Sequence, residues 1–278
     1  MKHMPAETSA LGYETDVRPS LELSVVIITY NEQECLPRTL EALNGVADEI
    51  IIVDSGSTDA TQQIACAHPL VRWFQRSFDT YGQQKNFGNK QARGRYIFSL
   101  DADEVLSPQL RDIILREKGK WSADAYALLR IPIYIGTEIR CSDWYPDIQW
   151  RLFRRDVARW SNDLVHEHLI IESDARRKRL DGELLHYSYL STSDHMSRNI
   201  RYSMLGAQMR FARGRRPLFV HALLRAFLRF LKSFVFKRGY RAGWRGWAIA
   251  LLGASVYLQR EIFLAELWEH STSAPNRA

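Results

Sequence analysis

From the amino end, the chain first becomes regular at Ser24 to Tyr30, Ser-Val-Val-Ile-Ile-Thr-Tyr, a continuous β-branched apolar run. It is too short for a helix and too unbroken for a strand with one wet face, so it predicts a strand buried on both faces. Asn31 is placed to cap the next helix, whose Leu36, Leu40 and Leu43 recur at helical spacing until Asn44-Gly45 ends it. Glu49 to Val53 predicts a second buried strand. It runs into Asp54-Ser-Gly-Ser-Thr-Asp59, where Gly56 permits a tight turn and Thr58 or Asp59 starts a helix. Val71 to Gln75 predicts a third strand, Gly82 to Ala92 a helix and Arg95 to Leu100 a fourth strand. This βαβαβαβ alternation implies a parallel sheet wrapped by helices, with ligand crevices beyond the carboxyl ends of the strands.

The fourth strand ends in Asp101-Ala-Asp103, two carboxylates separated by one small residue, so both can converge on one ligand. Hard cations such as Mg²⁺ take ligands of this kind, one or two protein carboxylates plus the phosphates of a substrate. The same string also suits an acidic approach to the helix that Ser107-Pro108 opens. Its company separates the two readings, because Thr29-Tyr30-Asn31-Glu32 and Asp54 to Ser57 stand at other strand ends on the same rim. Tyr-Asn-Glu-Gln-Glu follows the first strand where a dinucleotide-binding domain needs Gly-x-Gly-x-x-Gly. A rim so rich in carboxylates suits metal-bridged phosphates instead.

Composition changes the picture mainly in the last third. The 278 residues are 46% hydrophobic, enough for a large core, with a formal charge of +6. Between His195 and Arg260 there are 14 Lys and Arg and no Asp or Glu, so an acidic domain carries a basic tail region. Cys35, Cys66 and Cys141 are widely spaced and odd in number, which suggests neither a disulfide framework nor a thiolate metal site and fits a reducing compartment. Glu7, Glu14 and Asp16, without an apolar run around them, argue against a secretory signal, so the catalytic part is expected on the cytoplasmic side.

Asp194 to Arg213 predicts a helix that Arg215-Arg216-Pro217 breaks. From Leu218 to Phe236, His221, Arg225, Arg229 and Lys232 form one narrow stripe in a run otherwise of Leu, Phe, Val and Ala, apart from Ser233. Such a helix suits a membrane interface, where anionic head groups meet acyl chains. The competing reading is a helix packed on the catalytic domain with its arginines in water. Gly239 to Gly246 predicts a basic turn, and Trp247 to Leu258 an apolar segment of about a dozen residues, short of the roughly 20 a spanning helix needs. Arg225, Arg229, Lys232, Trp244 and Trp247 are the expected membrane-surface residues. No RNA-binding module or zinc spacing accompanies them, so nucleic acid is not an expected partner.

Four strings, at 24–32, 51–59, 84–89 (Gln-Lys-Asn-Phe-Gly-Asn) and 100–104 (Leu-Asp-Ala-Asp-Glu), resemble in order and spacing the inverting family 2 glycosyltransferases with the GT-A fold. Trp144 to Arg155, Val165-His-Glu-His168 and Leu185-His-Tyr-Ser-Tyr189 extend the likeness, on less specific strings, to lipopolysaccharide-core enzymes that add β-1,4-glucose to a heptose. The resemblance implies a GT-A catalytic domain over 21–190, α/β with a Rossmann-like, mostly parallel central sheet. Its nucleotide-sugar half ends near 104 and its acceptor half begins near 105. A C-terminal α-helical membrane-association region follows over 191–270, between flexible segments at 1–20 and 271–278. The implied partners are a nucleotide-sugar donor, UDP-glucose by the closer likeness, a divalent metal (Mg²⁺ or Mn²⁺), a lipid-linked saccharide acceptor and anionic lipids at the inner face of the cytoplasmic membrane. A polyprenyl-phosphate acceptor and a catalytically silent saccharide-binding scaffold are the alternatives.

Carried onto this sequence, the donor-binding positions are Thr29, Tyr30, Asn31, Glu32, Asp54, Ser55, Gly56, Lys85, Asn86, Asp101, Ala102 and Arg151. Tyr30 packs on the base, Asp54 accepts from its imide N–H, Glu32 and Asp101 accept from ribose hydroxyls, and Lys85 and Arg151 face the diphosphate. For Asp54 the competing reading is an Asx-turn around Gly56. For Arg151 it is an edge-strand cation paired with Asp147. Asp101, Asp103 and a late histidine, His186, are the implied metal ligands. Inversion is a single displacement that asks for one base opposite the nucleotide; Glu167 is the choice and Asp147 the reserve. On a strand His166 and His168 face one side and Glu167 the other, so that string cannot converge on one metal.

Overall fold

The computed structural model describes residues 21–163 and 167–273. The segment expected to be flexible at 1–20 lies outside the described residues, as do 274–278 of the one expected at 271–278, whose first three residues are helical, and Leu164, Val165 and His166. The alternating pattern is realised as β1 (Leu23–Thr29), α1 (Leu36–Ala42), β2 (Glu49–Asp54), α2 (Thr61–Cys66), β3 (Val71–Gln75), α3 (Tyr81–Gln91) and β4 (Tyr96–Asp101). β1 lies between β2 and β4, β3 lies outside β2, and all three pairings are parallel.

Alternate residues feed two cores. Val25, Ile27, Ile50 and Ile52 pack with Leu36, Leu40, Leu110 and Ile114 on one face, whereas Val26, Ile51, Val53 and Ile97 pack on the other. Both faces are dry, which is why these strands read as unbroken apolar runs. α3 starts where Thr80 Oγ1 accepts from the Gln83 N–H. It lies so close to the sheet that a Cβ on Gly88 would stand 2.4 Å from Val26 Cγ1.

The second half is β5 (Glu104–Leu106), α4 (Pro108–Glu117), β6 (Ala125–Tyr134), β7 (Thr137–Glu138), β8 (Asp147–Arg154), β9 (Ala158–Trp160), β10 (Leu169–Ile171) and β11 (Arg177–Tyr189). Among the described residues the main sheet runs β3-β2-β1-β4-β8-β6-β11-β5, with β7 on β6, and β9 and β10 form a separate pair. β8 is antiparallel to both β4 and β6. Parallel pairing thus governs the first half, and an antiparallel strand joins it to the second. Because β8 is interior, Arg151 is a buried cation, not an edge one.

Three helices follow: α5 (Thr192–Ala212), α6 (Phe219–Leu231) and α7 (Trp244–Ser273). A π-helical turn at Lys232–Phe236 and a 3₁₀ turn at Gly239–Ala242 link the last two. The expected short apolar segment at 247–258 is corrected, since α7 is one helix of 30 residues. Its later polar residues do not end it because they are partnered inside the helical unit. Glu261 is buried, pairs with Arg210 and accepts from the Leu218 N–H, and Gln259 accepts from Ser203. By length and composition, Trp244–Ser271 could cross a membrane.

One further expectation about this region changes. Arg229 leaves the cationic stripe to pair with Asp143, which also accepts from Ser233 Oγ at 2.7 Å. Trp247 packs on Phe234, their ring centroids 4.3 Å apart, and Trp244 leans toward Tyr134. The helices dock on the sheet through rings of Tyr134, Trp144, Tyr189 and His195. His195 stacks on Tyr189 with centroids 4.2 Å apart, and its Nδ1 lies 3.1 Å from the Tyr134 hydroxyl.

Burial pushes His195 from its ordinary 6.5 down to about 4, despite the opposing charge of Asp194. The folded chain therefore keeps this ring neutral while the unfolded chain protonates it below 6.5. The associated stability is fully present above pH 6.5 and is lost as pH falls toward 4. The expected loss is about 2 kcal/mol by a pH of about 5, read as a difference in urea unfolding free energy from neutral pH. His195→Gln should remove that increment; an unchanged pH dependence would clear His195 of this role.

Candidate active site

Strand register assembles the rim. Across β1, Thr29 pairs with Asp54 and Ile28 with Asp101. Arg130 stands opposite Asp147 on β6 and β8, and His186 opposite Glu104 on β11 and β5.

Acids and cations then alternate in one connected chain. Lys85 Nζ lies 3.0 Å from Glu167 Oε1 and 3.1 Å from Asp101 Oδ1. Arg151 Nη2 is 2.7 Å from Asp101 Oδ2 and 2.8 Å from Glu104 Oε1. Arg130 Nη1 is 3.0 Å from that same Glu104 oxygen, and its Nε is 2.7 Å from Asp147 Oδ2. The two candidate bases, Glu167 and Asp147, are the ends of this chain. Burial by itself would raise the Asp101 pKa, but Arg151, Lys85 and Arg130 hold it well below the ordinary carboxylate range. Burial likewise opposes charge on Arg151, and Asp101 and Glu104 more than restore it.

Asp103 takes a different direction. Its Oδ2 lies 3.3 Å from His186 Nε2, while His186 Nδ1 lies 3.0 Å from Ser188 Oγ. Burial works against a charged imidazole there, yet Asp103 raises the His186 pKa above its ordinary value. The expected trio of metal ligands is thus divided, since Asp101 is turned to three cations. Among the described residues no three His, Cys, Asp or Glu side chains gather into a metal cluster. Asp103 and His186 offer an oxygen and a nitrogen donor side by side. That pair fits a Mg²⁺ or Mn²⁺ that completes its shell with substrate phosphates and water.

At the end of β1, Tyr30 is exposed, and Asn31, at φ 56°, accepts from the Thr58 N–H through Oδ1. Asp54 is buried and accepts from the Gly56 and Ser57 N–H groups and from the Thr29 and Ser57 hydroxyls. Those four bonds shape the loop around Gly56 and occupy both carboxylate oxygens. Ser55 Oγ accepts from Gln84, and Ala102 is buried with its carbonyl accepting from Thr39. Asn86 donates through Nδ2 to the Trp160 carbonyl and accepts through Oδ1 from the Trp160 N–H, so it ties α3 to β9. Burial, reinforced by Asp103, pushes Glu32 up to about 7.

Three residues at the site were not singled out from the sequence. Glu104 merged with the Asp-x-Asp string. Arg130 had a visible signal, a lone charge inside Ala-Tyr-Ala-Leu-Leu-Arg-Ile-Pro-Ile-Tyr, because a charge in a buried strand needs a partner. Arg198, on α5, pairs with Asp194, lies over the Tyr189 ring and feels the charge of Asp103. Nothing local in the sequence brings α5 to the metal pair.

The family model for glycosyl transferase family 2 matches residues 24–141, from β1 through β7. The lipopolysaccharide core biosynthesis glycosyltransferase LpsC of Rhizobium meliloti (strain 1021) is 32% identical over 85% of this chain and 89% of its own length. This chain belongs to glycosyl transferase family 2. An uncharacterized glycosyltransferase of Rickettsia bellii is 27% identical over 88% of this chain and 87% of its own. Among solved structures, S. aureus TarS 1-349 overlays with a TM-score of 0.45 at 15% identity, covering 93% of each chain.

In this glycosyltransferase, Lys85 is buried between two carboxylates that have no second ammonium between them. Lys85→Met should leave Glu167 without its lysine partner and Asp101 with its guanidinium partners alone. The expected loss is about 3 kcal/mol of unfolding free energy, as for breaking a buried ion pair. Denaturant titration checks it, and an unchanged midpoint would mean that the bridge carries no energetic weight.

Proposed function

We propose that this glycosyltransferase is an inverting, metal-dependent hexosyltransferase that moves glucose from UDP-glucose to a lipopolysaccharide-core saccharide at the cytoplasmic face of the membrane. The observation that carries the chemistry is the charged chain from Glu167 to Asp147, with the Asp103–His186 pair beside it. The likeness to LpsC supports a core-saccharide acceptor over a polyprenyl phosphate.

In this reading the exposed Tyr30 stacks on the base, and Glu32 and Asp101 accept from the ribose hydroxyls. Lys85 and Arg151 face the diphosphate, whose negative charge grows as the glycosidic bond breaks, so fixed cations favour the transition state over the ground state. Asp103 and His186 hold the divalent ion, which when bound supplies further stabilisation of the leaving group. Glu167 takes the proton of the acceptor hydroxyl as that oxygen bonds to the anomeric carbon and the bonding pair to the diphosphate departs with it. Lys85, shared between Asp101 and Glu167, holds the base in its orientation.

Membrane association is supported by α6. Leu223, Leu224, Phe227, Leu228 and Val220 are each more than half exposed, while only Ala222 and Ala226 of this helix are buried. Arg225 and Lys232 remain exposed beside that apolar face. α7 is bonded to α5 along its length, through Asn199 to the Leu252 carbonyl, Ser203 to Gln259 and Arg210 to Glu261. These polar ties to a charged helix favour a unit that lies in the interface over one that threads the bilayer.

Glu167→Gln should keep donor affinity while lowering turnover by roughly 10² or more, the weight of a positioned general base. Unchanged turnover moves that role to Asp147. A thermal-shift panel of nucleotide sugars with Mg²⁺ and Mn²⁺ tests the donor. No nucleoside diphosphate release from any of them would favour a silent scaffold.

Arg225→Glu with Lys232→Glu should weaken sedimentation with anionic vesicles, by about 1 kcal/mol per basic residue and more at low salt. Phe227→Gln with Leu224→Gln should weaken it at all salt concentrations. Binding that survives both pairs of changes would remove α6 as the membrane-facing element.

A further inference from the structure

Glu104 is the innermost acid of the site and is wholly buried, at 0% exposure. Its Oε2 accepts from the backbone N–H of Asp101 at 3.0 Å. Its Oε1 accepts from Arg130 Nη1 at 3.0 Å and from Arg151 Nη2 at 2.8 Å. Its own backbone lies opposite His186 in the β5–β11 register. One residue therefore joins the turn that aims Asp101 and Asp103 and two guanidinia through its carboxylate, and the strand that carries His186 through its backbone.

We infer that Glu104 is a positioning residue for sugar transfer and acts with Arg130 as one unit that joins the donor side of the site to the acceptor side. The inference rests on the proposed function, in which Asp101 serves the donor and Asp147 or Glu167 the acceptor.

Stability alone is a poor reason for this arrangement, because a buried ion pair can often be replaced by apolar groups of similar volume without loss. The geometry supplies a better one. Arg130 reaches Asp147 through Nε and Glu104 through Nη1, and its Nη1 is only 3.9 Å from Asp101. With Glu104 neutral, two guanidinia would compete for Asp101 and Asp147 alone. Arg130 would be drawn toward Asp101, Asp147 would lose its partner, and the Asp101 N–H would lose a charged acceptor. Displacements of about an ångström at a reacting centre cost on the order of 10² in rate.

The experiment compares Glu104→Gln, Glu104→Asp, Arg130→Met and the double variant Glu104→Gln/Arg130→Met in the full chain. The readouts are nucleoside diphosphate release, with kcat and KM for the donor, and the melting temperature. The donor is whichever UDP-, GDP- or ADP-sugar the wild type turns over.

Each neutral single variant should lower kcat roughly 10-fold to 100-fold while KM for the donor stays within about 3-fold, because the groups that touch the donor remain. Glu104→Asp, which keeps the charge, should retain more activity than Glu104→Gln. In the double variant the melting temperature should recover toward wild type, since the acid and the cation are removed together and the remaining charges balance as before, while kcat stays no lower than in the weaker single variant. Recovery of kcat together with the melting temperature would mean that Glu104 only holds the fold, and multiplied losses would mean that the two residues act separately. Either result overturns the inference. A wild type that turns over no nucleotide sugar overturns the proposed function itself, and the inference with it.

Discussion

The site depends on one constraint, that a charge removed from water must be met by another at hydrogen-bond distance. Arg151 and Arg130 come from interior strands of the second half of the sheet, and Asp101 and Glu104 from the turn that ends the parallel half. β8 makes the meeting possible because it enters antiparallel between β4 and β6. The same pairs tie the turn after β4 to β6 and β8 and so hold the two halves of the rim at a set separation. Because Asp101 and Glu104 each meet more than one cation, loss of any one member redistributes the pairs that remain, so stability and geometry are coupled at this place.

The helical region obeys a second constraint, that apolar surface needs a cover. α7 is covered by α5 and α6 and docks through Ile249 on Tyr134 and Ile139. α6 presents small residues, Ala222 and Ala226, to α7 and so leaves its large side chains outward. Polar anchors fix the direction of that outward face, for Arg229 and Ser233 both bind Asp143, four residues before Asp147. The surface proposed to meet lipid is therefore tied to the strand that supplies one end of the charged chain.

Much of this was legible in the order of residues. Unbroken β-branched runs placed β1 and β2, and a short apolar run placed β4, because burial on both faces erases alternation, and carboxylates at strand ends located the rim. Less visible was the division of labour between Asp101 and Asp103. One intervening residue allows both to converge, yet β4 directs Asp101 to Lys85 and Arg151 while Asp103 turns to His186. Nor was it visible that Asn86 and Asp54 also hold backbone, Asn86 on Trp160 and Asp54 on its own loop. In the tail, Gln259 and Glu261 looked like the end of an apolar run because their partners, Ser203 and Arg210, lie on another helix.

By itself the sequence determined the elements of the first hundred residues, the sheet rim that carries the chemistry, and the family to which the chain belongs. These rest on local periodicity and short motifs, which need no knowledge of distant contacts. Only the tertiary structure decided that β8 is interior, that Glu104 and Arg130 belong to the site, that α5 brings Arg198 near Asp103, and that α6 keeps its broad apolar face uncovered. Each of these is a pairing between residues far apart in the chain. Strand register and helix packing set such pairings through burial and charge neutralisation, and neither term has a value until both partners are in place.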